Sequence, residues 1–548
     1  MRRLPRLALL FLCAAYLLPG FIGRDPWKSE DMASFGYMLE LVQGTSAWFS
    51  PTLLGQPPAV QALLPYWLGA WGIQLLPWLD AASAARVPFV ALLGICLLAT
   101  WYAVYYLACS REAQPVAFAF GGEADPVDYA RAIADGGLLA LMASLGLAQL
   151  SHEATPALVQ LTSLSLVFFA MAGAQHRNAV PAGALALGLC GLAFSGAPVF
   201  SVVLGLGCAA LISAQGWIRQ DTRARHRGLA VLLLSLLTAV LGWALDLWQW
   251  RNILADSWVQ WRGLLRLLVW FTWPAWPLAL WTLWRWRRQL WGRQMALHVA
   301  LPTWFAAMAL VQGLTTHSPD RSLLLGLPAL AALAAFALPT LKRSITSLID
   351  WFTLIFFTGC AFVIWVVWIA MQTGVPAQPA ANVARLAPGF TPSFSWLAFL
   401  AALASTGAWF WLVHWRAGRH RAALWKSMVL PASGAALCWL LLTSLWLPLL
   451  DYARSYAPMV HRVTALVRPG ECLQTSSLTR SQIAALQYHG ELQVLPLGDR
   501  ALCPWLLVEP VDLANHPVNL KQWQLQTSVR HPADRKEDLL LFRRVARQ

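Results

Sequence analysis

The chain has 548 residues, 58% of them hydrophobic and only 12% charged, and its mean hydropathy is +0.54. Soluble domains carry about 25% charged residues, so the composition excludes an ordinary soluble protein. The net charge of +15 does not indicate a nucleic acid partner, because the basic residues sit in short loops between apolar runs, where they favour one membrane face.

In chain order, Met1-Arg2-Arg3 to Gly20 combines a basic start with an apolar core and lacks a small-x-small cleavage site. It reads as an uncleaved first helix. Spans are predicted at 5–22, 86–108, 135–151, 157–174, 179–195, 198–214, 228–248, 264–284, 295–313, 321–340, 346–372, 394–415 and 428–450. The fold class is therefore an all-α polytopic membrane protein. The segment Gln61–Leu79 is apolar but broken by Pro65 and Pro77, with Trp67, Trp71 and Trp78 at near-helical spacing. It reads as an interfacial helix. The 32 Trp residues fit crowded interfacial belts.

Composition divides the chain into a transmembrane part, 1–450, whose first outer loop is about 23–85, and a soluble tail, 451–548. In the tail, Leu478–His489 is predicted helical, and Glu491–Leu497, Trp505–Glu509 and Asp538–Val545 are predicted strands, giving a small α/β domain. Seven of the nine cysteines lie in or at the ends of spans, where the thiol acts as a small apolar group. Cys472 and Cys503 lie in the tail. They form a disulfide if the tail is extracytoplasmic, the alternative being two buried thiols.

Loop charge sets the expected topology. One set of loops holds Arg2, Arg3 and Arg6; Arg177; Arg219, Arg223, Arg225 and Arg227; Arg285, Arg287, Arg288 and Arg293; Lys342 and Arg343; Arg416, Arg419, Arg421 and Lys426. The other holds only Arg24, Lys28, Arg251, Arg262, Arg321 and Arg385. The 109–134 loop is mixed, with Arg111 and Arg131 among acids. The bias predicts a cytoplasmic N-terminus, with the first loop and the tail outside.

Directly after the first span stands Arg24-Asp25-Pro26-Trp27-Lys28-Ser29-Glu30-Asp31. Charges near hydrocarbon are costly and tend to be functional. Glu30 and Asp31 suit a general base or a metal-binding pair; a solvated loop and a favourable helix dipole account for them equally well taken alone. Ser151-His152-Glu153-Ala154-Thr155-Pro156 puts a second carboxylate in another outer loop. Helix capping explains Ser151 and Thr155 but not His152 with Glu153. Arg321, in His317-Ser318-Pro319-Asp320-Arg321, has the fork geometry that grips phosphate. Arg251, Arg262 and Arg266 alternate with Trp248, Trp250, Trp258 and Trp261, as in an interfacial belt. No P-loop and no Gly-rich strand-to-helix turn is present, so no nucleotide cofactor is expected.

These motifs resemble the polytopic GT-C glycosyltransferases, specifically the bacterial aminoarabinose transferase-like (ArnT-like) and protein O-mannosyltransferase-like group. The resemblance covers nearly the whole chain. Asp25-Pro26-Trp27-Lys28-Ser29-Glu30-Asp31 stands for the family's Asp-Pro-Trp-Lys-Pro-Asp-Glu-like run, and His152-Glu153 resembles its second acidic position. Gly470-Glu471-Cys472 and Cys503-Pro504-Trp505-Leu506-Leu507-Val508 resemble its two Cys-bearing periplasmic segments.

The resemblance implies an enzyme of the bacterial inner membrane. A polyprenyl-phosphate sugar is the donor, lipid A or another glycan the acceptor, and membrane lipids surround both. Glu30 is the principal acid, assisted by Asp31 and Glu153, and a divalent metal ion would be held by Glu30, Glu153 and His152. Gln61 and Arg321 fall on the family's cationic positions, and Lys28 or Arg321 is expected to hold the phosphate where Gln61 cannot. Gln61 stands where the family has lysine, and it carries no charge. A catalytically degenerate homologue that binds lipid-linked sugar or scaffolds an active paralogue is the rival expectation. A secondary transporter fits less well, because the spans hold few charges and show no inverted repeat.

Overall fold

The computed structural model describes residues 4–114, 125–177, 179–248, 257–290, 295–316, 318–417, 425–468, 470–497, 503–514 and 522–545. Trp250, Arg251 and His317 lie outside these residues. Each of the thirteen predicted spans contains helix. Nine helices among the described residues are long and apolar enough to cross a bilayer. They are Ala81–Ala108, Pro156–Gly173, Pro198–Ile218, Thr222–Ala244, Leu297–Leu314, Pro319–Thr340, Arg343–Thr373, Trp396–Arg416 and Lys426–Leu445. Arg6–Leu17 and Ala179–Phe194 are apolar but shorter, and Pro126–Ala143 carries Asp128, Arg131 and Asp135. The chain is a polytopic, all-α membrane protein with a small α/β tail.

Two predicted spans need correcting. The stretch 135–151 is not one helix: Pro126–Ala143 ends at an extended Ser144, and only the short helix Leu147–Leu150 follows. The stretch 264–284 is not a straight rod: Trp258–Phe271 and Ala275–Arg285 meet at 89°. Pro274 lies at the break, where a ring in place of an N–H cannot continue the helix. The Gln61–Leu79 segment folds as the helix Leu64–Leu75. At 1.5 Å per residue its 12 residues reach about 18 Å, too short to span.

The chain forms two compact units that interleave in sequence. The first comprises residues 1–21, 89–362 and 400–441. It is a helical bundle packed at small residues. A Cβ on Gly188 would lie 2.6 Å from the Ser163 carbonyl oxygen, and one on Gly205 would lie 2.1 Å from Ser235 Oγ. Such close backbone approach is how helices associate where no water drives them together. Buried hydroxyls and indoles bond to carbonyls of neighbouring helices, as in Thr162 Oγ1 to Leu92 (3.0 Å), Thr282 Oγ1 to Leu333 (2.7 Å) and Trp304 Nε1 to Leu204 (3.2 Å).

The second unit comprises residues 22–88, 363–399 and 442–548, so the first loop and the tail belong to one body. The tail sheet has five strands: β1 Cys472–Thr475, β2 Gln493–Pro496, β3 Trp505–Val508, β4 Trp523–His531 and β5 Asp534–Arg544. Their order is β2-β1-β3-β5-β4, with β1 parallel to β2 and β3, and β5 antiparallel to β3 and β4. The helix Arg480–Gly490 connects β1 to β2. It starts at a capping box in which Gln482 N donates to Thr479 Oγ1 (3.4 Å) and Thr479 N donates to Gln482 Oε1 (2.8 Å). Cys472 and Cys503 form a disulfide across 31 residues of sequence. Closing a loop of that length stabilises the tail by about 3–4 kcal/mol in the chain-entropy account.

The loop helix Glu30–Gln43 packs on the tail helix at Gly36, where a Cβ would lie 2.5 Å from the Ala484 Cβ. Hydrogen bonds tie the tail helix to the first loop: Gln487 Nε2 to Glu40 Oε1 (3.0 Å), Tyr488 OH to Asp80 Oδ1 (2.8 Å) and Arg480 Nε to the Pro57 carbonyl (2.8 Å).

Candidate functional site

Glu30 and Asp31 occupy the first turn of the helix Glu30–Gln43, where the dipole favours negative charge. Their surroundings differ. Asp31 is 2% exposed. It accepts from Arg24 Nη2 at 2.8 Å and from the Trp27 backbone N–H at 3.1 Å, so it folds the preceding loop back on itself. Glu30 is half-buried at the opening of the helix. Asp31 is therefore a structural anchor, and Glu30 differs from it in being half open to solvent.

Trp27 is the hub of the loop. The Arg24 guanidinium lies 4.4 Å from its ring centre and that of Arg454 lies 5.1 Å away. Its indole N–H donates to Asp451 Oδ1 at 2.7 Å. Arg86, 3% exposed, donates through Nη1 to the Arg24 carbonyl, and its Nη2 is buried with no hydrogen-bond partner among the described residues. Arg86, Asp451 and Arg454 were not foreseen as site residues. Nothing local marks them, and they meet the loop only through the fold.

Burial pushes the Asp451 carboxyl up to about 7, aided by the nearby Asp25 charge and opposed by the Trp27 hydrogen bond and by Arg24 and Arg86. The folded protein thus holds a proton that the unfolded chain releases near pH 4. Asp451 therefore lowers stability progressively as pH rises from about 4 to about 7, and no further above that. His489 and His531, both held below their ordinary value by burial, act in the opposite direction. Subtracting the thermal-melting profile of Asp451→Asn from that of the native chain isolates the carboxyl. The difference is expected to change across pH 4–7 and stay flat above it; a flat difference throughout refutes the assignment.

Lys28 is not poised for phosphate as expected. Its Nζ lies 2.9 Å from Asp534 Oδ2 and 3.4 Å from Glu537 Oε2, and its backbone N–H donates to the Arg454 carbonyl at 2.8 Å. Glu537 is also bonded by Tyr456 OH at 3.1 Å. Two carboxylates neutralise the ammonium, and Lys28 fastens the loop to the tail. Gln61 is half-buried shortly before the helix Leu64–Leu75 and makes no side-chain hydrogen bond to the described residues.

His152, Glu153 and Arg321 belong to the helical bundle, the other unit. The 151–155 loop is buried throughout. His152 is not placed as a metal ligand. Nε2 faces the Tyr16 carbonyl at 3.0 Å, Nδ1 faces the Ala148 carbonyl and Ser151 Oγ, and the ring packs 4.8–5.6 Å from Tyr16, Phe21 and Trp439. Both nitrogens are engaged by oxygens, so the residue packs the bundle. Glu153, 6% exposed, accepts from Gln149 Nε2 at 3.1 Å. Arg321 is the third residue of the helix Pro319–Ala337 and is half-buried. Among the described residues no three His, Cys, Asp or Glu side chains meet in a group that fits a metal ion. Arg262 and Arg266 are exposed on Trp258–Phe271 beside Trp258 and Trp270, the arrangement of an interfacial helix.

No protein-family model matches the sequence, and comparison with curated proteins gives no match. Solved structures do match. ArnT from Cupriavidus metallidurans bound to undecaprenyl phosphate aligns with a TM-score of 0.63 at 14% identity, over 98% of this chain and 97% of that one. The same protein in the apo state aligns with a TM-score of 0.60 at 14% identity over the same shares. At this identity the likeness is one of fold, and it covers nearly the whole chain: the chain has the fold of ArnT.

Proposed function

We propose that this chain is an inner-membrane glycosyltransferase that moves a sugar from a polyprenyl phosphate to an acceptor on the periplasmic side, lipid A or another glycan. The reading is supported by the whole-length fold shared with a protein that binds undecaprenyl phosphate. The observation that carries it is the division of labour in the acidic pair. Asp31 is locked on Arg24, while Glu30 sits beside it at a helix start.

In this mechanism the Glu30 carboxylate takes the proton of the acceptor hydroxyl. The acceptor oxygen bonds to the anomeric carbon, and the bond from that carbon to the phosphate oxygen breaks, its electron pair leaving with the polyprenyl phosphate. Negative charge grows on the phosphate, and a preplaced cation there contributes about a hundredfold in rate. Gln61 supplies none and Lys28 is already neutralised. In the unit that holds Glu30, Arg86, which donates to the Arg24 carbonyl, and Arg454, which lies over the Trp27 ring, are the cations packed on the acidic loop and the candidates for the role. The N-terminus faces the cytoplasm and the tail the periplasm.

The degenerate reading draws on the same two residues, Gln61 and Lys28, because a protein that only binds lipid-linked sugar needs no charge at the leaving group. Purified chain in lipid nanodiscs, supplied with a panel of prenyl-phosphate sugars and with lipid A, separates the two. Sugar appearing on the acceptor supports the enzyme. Retained donor without transfer supports the binding protein, and neither binding nor transfer overturns both.

A further inference from the structure

A second candidate site lies at the far end of the helical bundle from Glu153. Glu153 precedes the helix Pro156–Gly173, whose 18 residues reach about 27 Å. Where that helix ends, beside the end of Pro198–Ile218 and the start of Thr222–Ala244, there is a cavity of about 520 Å³. Three guanidinium side chains, Arg219, Arg223 and Arg227, line it together with the amides of Gln175, Gln215 and Gln220.

The lining charges are not balanced from within. Its one carboxylate, Asp221, caps the helix by accepting from the Arg223 backbone N–H at 2.9 Å. Arg219 is paired with Glu112 at 2.5 Å. Arg223 and Arg227, one helical turn apart, have no carboxylate partner among the described residues. Like charges at that spacing repel, and an anion between them removes the penalty. Arg225 is turned to other work: it lies 3.9 Å over the Trp217 ring and donates to Gln220 at 3.1 Å. The floor is a buried amide pair. Gln215, 4% exposed, accepts from Gln175 Nε2 at 3.0 Å, and its own NH₂ donates to no protein acceptor among the described residues.

Guanidinium groups and amide donors without competing carboxylates recognise phosphate, and the volume suits a small polar headgroup. The cavity opens where apolar helices end, at the level a lipid headgroup occupies. We propose that it binds the phosphate group of an anionic ligand, a phospholipid headgroup or a soluble phosphate ester, on the membrane face opposite the Glu153 loop. This is independent of the proposed transfer chemistry.

The test uses the purified full-length chain and two probes: phosphatidylglycerol, read by native mass spectrometry against phosphatidylcholine, and inorganic pyrophosphate, read by calorimetry. At least one probe is expected to bind, with Arg223→Gln/Arg227→Gln weakening it tenfold or more. Arg287→Gln/Arg288→Gln, which removes two cations from another loop, should leave it unchanged. Phosphatidylglycerol binding assigns the site to a lipid headgroup, and pyrophosphate binding assigns it to a soluble ester. Arg223 is exposed and Arg227 half-buried, so the double variant should melt with the native protein, and a shared melting temperature shows that lost binding is not lost folding. Binding of neither probe, binding unaltered in the Arg223/Arg227 variant, or equal loss in both double variants overturns the proposal.

Discussion

Glu30→Gln is expected to lower sugar transfer by a factor of 10² to 10⁴, the usual contribution of a positioned general base. In barrier terms that is about 3–5 kcal/mol. Glutamine keeps the shape of the side chain and its hydrogen-bonding reach, so the change isolates the charge and the capacity to take a proton. The fold should barely respond. The residue is half-buried, and the loss of a negative charge from a helix N-terminus costs about 0.3–1 kcal/mol, a shift of a few degrees in melting temperature at most. The measurement is turnover at saturating donor together with a thermal melt. Native turnover in the variant would remove Glu30 from the mechanism, whatever sugar is carried.

Asp31→Ala should do the opposite, unfolding the loop rather than silencing a folded one. The Arg24 and Asp31 side chains are 1% and 2% exposed. Removing one partner of a buried pair strands the other charge without water, at about 3–5 kcal/mol. Arg24→Met with Asp31→Leu removes both charges together and should recover much of that loss, because a well-packed apolar pair carries no stranded ion. The signature is strong non-additivity in a double-mutant cycle. If Asp31→Ala melts within a degree of the native protein, the pair does not hold the loop, and the distinction drawn between the two acids fails with it.

Much of the architecture was legible in the sequence because bilayer physics writes long, plain signals. All thirteen apolar segments contain helix, and the tail helix and three strands fall close to their predicted ranges. The bent pair was misread as straight because Trp-rich flanks kept the run apolar through Pro274. Strand β1 was missed because Cys472–Thr475 ends in two polar residues, Gln474 and Thr475, which are buried only by packing in the sheet. Strand β4 was missed because a register shift between Leu525 and Thr527 breaks its alternation. At the site, the Arg24–Asp31 run stood out as a motif, but the partners of Trp27 and Lys28 did not. Asp451 is 424 residues from Trp27 and Asp534 is 506 from Lys28, and no local pattern records contacts of that span. His152 looked like a ligand because sequence shows a ring and not the carbonyls that meet it.

The packing of Gly36 on Ala484 has a consequence for biogenesis. The ribosome adds roughly 5–20 residues per second, so the tail helix emerges on the order of a minute or less after the loop it must support. Until then the acidic helix has only the neighbouring loop helix Leu64–Leu75 to pack on, at Gly69 against Met38. A nascent chain therefore carries its acidic segment only partly assembled through the whole of membrane insertion, and the loop is completed only when translation nears its close.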